Sequence, residues 1–153
     1  MRFFILLAAT ALLIISCNKD IVVYEEWDFV QDTWVHGDKK TMTIPAPDTT
    51  SNYKLDLLVR HTVDYPYQNF YIRTVTTYPS GKEVASVTSL ELANKDGTWA
   101  GDCSGDDCYL ELPLQRKFTF PESGDYTWSV EPYMRVDTIE GIRSLTVVCR
   151  KSS

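Results

Sequence analysis

The sequence predicts an all-β chain, a single antiparallel β-sandwich or jelly-roll-like domain behind an export leader. Three observations carry that expectation. Past the leader the apolar residues follow no helical period. They alternate with polar ones instead, the pattern of half-buried antiparallel strands. Turn residues interrupt the alternation about every ten residues, a spacing typical of sandwiches. The 153-residue chain, 44% hydrophobic and 24% charged, is long enough for one domain with a real core and too short for two.

Residues 1–16 read as a signal peptide: Arg2 gives a positive start, and residues 3–15 (FFILLAATALLII) form an uncharged run of 13. That is shorter than the ~20 residues a membrane-spanning helix needs. Residues 14–17 (IISC) resemble a bacterial lipobox, in which the cysteine is lipidated and becomes the first residue of the mature chain. A thiol is needed there because the lipid is attached as a thioether, and its buried methylenes anchor the chain. Cys17 is therefore the expected lipidation site, with residues 17–22 as a short tether and 23–153 as the domain. Asn18-Lys19-Asp20 carries neither the aspartate of inner-membrane retention nor an acidic export run. The expected location is the periplasmic face of the outer membrane.

Residues 21–29 (IVVYEEWDF) are a β-branched and aromatic opening strand, and 40–44 (KTMTI) alternates Met42 and Ile44 against threonines. In 53–61 (YKLDLLVRH), Tyr53, Leu55, Leu57 and Val59 fall on one face. In 70–78 (FYIRTVTTY), Phe70 and Ile72 oppose Tyr71 and Arg73. Pro79-Ser80-Gly81-Lys82 predicts a hairpin to a strand over 83–92, and Asn94-Lys95-Asp96-Gly97 a further turn. Strands are expected over 109–114, 117–120, 125–131 and 142–150, the 125–131 strand turning Tyr126, Trp128 and Val130 inward. The total is eight or nine strands.

Charge excludes one class of partner. The formal net charge is −6, and losing Arg2 with the leader leaves 14 Lys+Arg against 21 Asp+Glu, or −7. With no cluster of basic residues along the sequence, nucleic acid is not an expected partner.

The candidate chemistry is sparse. His61 and Asp64 sit close in sequence, but residues three apart at a strand end need not face each other. The simpler expectation is a histidine bonded to nearby backbone. Residues 101–105 (GDCSG) fit a cysteine form of the nucleophile elbow. That motif needs a helix after the turn, and here a strand follows. Asp102, Asp106 and Asp107 are too few and wrongly spaced for a calcium loop, and Cys103 and Cys108 lack a histidine at zinc spacing. No catalytic residue, metal or cofactor is expected. Export permits disulfides. Cys103 and Cys108 bracket a turn and can close a small loop, and the odd count leaves one thiol free or paired in trans, with Cys149 in a strand. Exposed rings among Trp27, Trp34, Trp99, Tyr65, Tyr67, Tyr71, Tyr78 and Tyr133 would suit a glycan-binding module, whereas buried ones would simply fill the core.

One stretch carries more. Residues 60–69 (RHTVDYPYQN) resemble the signature of the gliding-motility lipoprotein GldH family of the Bacteroidetes. Tyr24-Glu25, Trp34, Tyr78-Pro79 with Gly81, Asp96-Gly97-Thr98-Trp99, Gly101-Asp102, Phe120-Pro121, Met134-Arg135 and Gly141-Ile142 follow in the same order. Pro132, the loop from Cys103 to Cys108 and Ser144-Leu145-Thr146 depart from that pattern. The resemblance implies a non-enzymatic outer-membrane lipoprotein associated with gliding or envelope protein-secretion machinery. Arg60, His61, Asp64, Tyr65 and Tyr67 then form the candidate partner-contact loop. Tyr65-Pro66 within it is an X–Pro bond open to the cis form.

Overall fold

A computed structural model describes residues 20–152; the leader, Cys17 and the first residues of the tether lie outside the described residues. In chain order the strands are β1 (Ile21–Asp28), β2 (Thr33–Val35), β3 (Lys40–Ala46), β4 (Asn52–Thr62), β5 (Asn69–Thr77), β6 (Glu83–Glu91), β7 (Asp102–Ser104), β8 (Asp107–Phe118), β9 (Gly124–Pro132), β10 (Thr138–Glu140) and β11 (Ile142–Ser152). One 3-10 turn, Val30–Asp32, joins β1 to β2. Every pairing is antiparallel. A five-stranded sheet runs β1-β11-β4-β8-β7, a four-stranded sheet runs β3-β9-β5-β6, and a ribbon pairs β10 with β2.

The period-two faces land as read. Tyr53, Leu55, Leu57 and Val59 of β4 are buried, as are Phe70 and Ile72 of β5 and Tyr126, Trp128 and Val130 of β9. With Leu145, Val147 and Cys149 of β11 they form one core between the two sheets. The ribbon closes one end of that core: Trp34 and Ile139 pair across it and are fully buried. Trp34 stacks on Phe29 at 4.8 Å and meets the edge of Phe70 at 6.3 Å.

β1 begins at Ile21, where the opening strand was read, because residues 21–28 pair with β11. Two differences from the sequence reading have physical causes. The strands expected over 109–114 and 117–120 form the single strand β8. Two register shifts against β4, between Tyr53 and Leu55 and between Leu55 and Asp56, absorb the broken alternation without ending the strand. β2, β7 and β10 are three residues each, too short to show a period, and exist because a partner strand lies alongside.

The register defines two poles. At one, Asp20, Lys151, Tyr53 and Phe118 lie in a row across four neighbouring strands. At the other, β4 ends at Thr62 beside Asp107 and Ile142. The stretch RHTVDYPYQN turns the chain from one sheet to the other at this second pole.

Candidate functional site

The corner is built from β4 outward. Alternation sends Arg60 to the outer face of the five-stranded sheet and His61 into the core. Arg60 donates from Nε and Nη2 to the two carboxylate oxygens of Asp107, at 3.0 and 2.9 Å, and lies 5.6 Å from the Tyr109 ring. Arg143 of β11 also binds Asp107 through Nη1 and reaches Asp32 through Nε at 3.2 Å. Two guanidiniums thus share one carboxylate and tie β4, β8, β11 and the 3-10 turn together. Hydrogen bonds from Arg60 first and Arg143 second hold the Asp107 carboxyl down at about 2. That occupation removes Asp107 from any set of cation ligands offered by 102–107.

His61 is fully buried. Its Nδ1 lies 2.9 Å from the Thr62 carbonyl oxygen, which can only accept, so Nδ1 carries the proton. Its Nε2 is buried without a hydrogen-bond partner. The ring meets Trp99 at 4.6 Å and Tyr65 at 5.9 Å. Burial lowers the His61 pKa and keeps the ring neutral. Asp64 is exposed, and no hydrogen bond or ion pair joins it to His61. The two residues that suggested a base and its orienting acid are therefore not brought together. Cys103 and Cys108 are cross-strand neighbours joined by a disulfide. Cys149 is buried, and burial, with the charge of Asp56 adding to it, pushes its thiol up to about 12.

Tyr65 is buried and donates its hydroxyl to the Asn69 carbonyl at 3.2 Å, across the turn it sits in. Burial pushes its phenol above the ordinary value. The Tyr65–Pro66 bond is trans. Gly141 passes behind this corner at φ +89, where a Cβ would come within 2.9 Å of Thr62 Oγ1. Of the five residues expected to contact a partner, His61 and Tyr65 thus support the corner from inside. Arg60 is half-exposed within its ion network, while Asp64 and Tyr67 face solvent.

Next to that corner lies an open apolar hollow of about 850 Å³. Tyr67, Tyr71 and Tyr133 line it, 41%, 44% and 53% exposed, with Val87, Met134 and Val136. Tyr67 packs edge-on against the buried Tyr65 at 5.7 Å, so its outward position is fixed from below. The segment after β9 is held beside β5 by Tyr133 N–H donating to the Tyr71 carbonyl at 2.8 Å, and Tyr71 N–H lies 3.4 Å from Met134 Sδ. Sequence reasoning singled out each tyrosine but not their meeting, because 62 positions separate Tyr71 from Tyr133. It missed Arg143 and Asp32 altogether, and nothing local marks them.

With the geometry in hand, similarity to known proteins is informative. The sequence model of a family described as GldH lipoprotein matches residues 22–147. A protein of Christiangramia forsetii named gliding motility lipoprotein GldH homolog is 29% identical over 143 residues, covering 91% of this chain and 87% of its own. The gliding motility lipoprotein GldH of Flavobacterium johnsoniae is 28% identical over 144 residues, covering 90% and 89%. Among solved structures, tripeptidyl peptidase 2 aligns with 82% of this chain and 10% of its own, at a TM-score of 0.45 and 9% identity, too distant to carry an argument.

Proposed function

Because the chain belongs to the GldH lipoprotein family, a family of membrane-anchored lipoproteins, we propose that it is a non-enzymatic accessory component of an outer-membrane assembly. In this reading lipid on Cys17 holds it at the periplasmic face. Its partners are proteins of the gliding or linked secretion machinery. The observation that carries the contact role is the hollow of Tyr67, Tyr71 and Tyr133, three exposed rings gathered around one apolar depression. Rigid aromatic side chains lose little entropy on binding and dominate protein interfaces. The family-like stretch supplies one of the three rings, Tyr67, and the buried Tyr65 that sets its position.

The test has two arms. Labelling with a palmitate analogue should mark the wild-type chain and not Cys17→Ala; equal labelling of both would remove the anchor. A photoreactive residue in place of Tyr67, Tyr71 or Tyr133 should crosslink to defined envelope proteins in cells, whereas one at Thr43, on the exposed face of β3, should not. A polysaccharide captured through the three tyrosines, with no protein crosslink, would favour the second reading, a lipid-anchored glycan-binding module. Exposed rings support that reading too, since sugars stack on them.

A further inference from the structure

The fold assembles a basic surface that the sequence keeps apart. Lys54 of β4 pairs in register with Arg150 of β11. On its other side β8 shifts register, Tyr53 facing Phe118 and Leu55 facing Gln115, which sets Arg116 and Lys117 opposite Lys54. The backbone of Lys151 continues the row toward Asp20, but its ammonium turns to the inner side, 5.9 Å from the Tyr53 ring. Both Arg116 and Lys117 are exposed and have no ion-pair partner among the described residues. Asp56, buried on this face, lies 3.5 Å from Lys54 and 3.4 Å from Arg150. Asp48 binds Lys151 at 3.0 Å, and Glu111 lies 3.9 Å from Arg150. On the outer face four cations, Lys54, Arg116, Lys117 and Arg150, thus meet two carboxylates, Asp56 and Glu111, in a chain that is strongly acidic elsewhere.

Position says what this surface faces. From Cys17 to Asp20 is three residues, at most about 11 Å of chain. Neighbouring strands are ~4.8 Å apart, so the row from Lys151 to Phe118 lies within roughly 15 Å of Asp20. Lipid on Cys17 would bring these cations to within about a Debye length or two of the headgroups.

We infer that the outer face of β11, β4 and β8 around Lys54, Arg116, Lys117 and Arg150 docks on the anionic lipid headgroups of the leaflet that holds the anchor. This rests on the Cys17 anchor proposed above. Cations beside a bilayer are attracted by its negative surface potential, and the attraction falls with salt. Two attachments, acyl chain and basic face, would fix the orientation of the domain, which a single tether leaves free.

The test uses the full lipidated chain on vesicles of phosphatidylcholine, alone or mixed with phosphatidylglycerol. An amine-reactive reagent is applied, and each lysine is read by mass spectrometry. Modification of Lys54 and Lys117 should fall several-fold on the anionic vesicles relative to the neutral ones and recover in high salt. Lys39 and Lys95, at the other pole, should react equally on both. The exposed double variant R116Q/K117Q should lose the protection of Lys54. Identical labelling on both vesicle types, or protection unchanged in the double variant, would overturn the inference. Flotation with neutral vesicles reads the acyl anchor separately. A chain that floats with both vesicles but labels uniformly keeps the anchor and loses the docking face. A chain that floats only with anionic vesicles keeps the face and loses the anchor, and one that floats with neither loses both.

Discussion

Asp107 receives three hydrogen bonds from Arg60 and Arg143, and they depress its folded pKa to about 2. An unfolded chain takes up that proton near the ordinary carboxylate value of about 3.9. The stabilisation is therefore fully present above about pH 4 and is lost as the pH falls toward 2. Asp107→Asn should lower the urea midpoint at neutral pH, and the gap to wild type should narrow markedly at about pH 3. A gap independent of pH would contradict the role given to the charge. Cys149 gives a second expectation. Its thiol is fully buried and pushed up to about 12, so too little thiolate exists at neutral pH to react. Iodoacetamide should leave the native lipidated chain unmodified and add one group in denaturant with the disulfide intact. Legibility at this scale was uneven. His61 bonding to local backbone was readable from its place at a strand end. The sharing of Asp107 was not, because Arg60 lies 47 positions away.

Among the elements, β7 and β8 show what a glycine in GDCSG is for. Gly101 passes so close to β8 that an added Cβ would overlap the Tyr109 carbonyl oxygen and come within 3.1 Å of the Leu110 Cα. These are backbone atoms that cannot swing aside. Gly101→Ala should cost roughly 1–3 kcal/mol by overpacking, read as a lower denaturation midpoint. An unchanged midpoint would mean the two segments can separate freely. The motif that hinted at a nucleophile is thus a close backbone approach ending in a disulfide-linked turn. Long strands such as β4, β5 and β9 were legible because each writes its period into its own residues. β2 and β10 were not, since three residues carry no period and their existence depends on each other. β8 was read as two strands because its bulges break the alternation while the pairing continues.

At the scale of the molecule, the two poles divide the proposed work. β4 has 11 residues, so about 35 Å of strand separates the anchor pole from the corner of Tyr65 and Tyr67. If lipid and basic face hold one pole at the bilayer, the aromatic hollow points into the space beyond it. A fluorophore on a cysteine replacing the exposed Thr119, beside Phe118 at the anchor pole, should be strongly quenched by an acceptor in the headgroup layer of anionic vesicles, and one replacing Tyr67 far less. Equal quenching would mean that the domain lies flat or tumbles on its tether. Net charge gave no warning of this division. A total of −6 averages a basic pole with an acidic remainder, and only the register separates them.

The sequence by itself determined the β-rich class, most strand positions, the family and the expected anchor. Alternation, turn residues, a leader and a contiguous signature are all local properties that neighbouring residues can express. Tertiary structure decided which distant residues meet: Asp107 with two arginines, Tyr71 with Tyr133, and Lys54 between Arg150 and Arg116-Lys117. Antiparallel pairing joins residues tens of positions apart, and a single bulge shifts every contact beyond it, so these meetings exist only once the register is set.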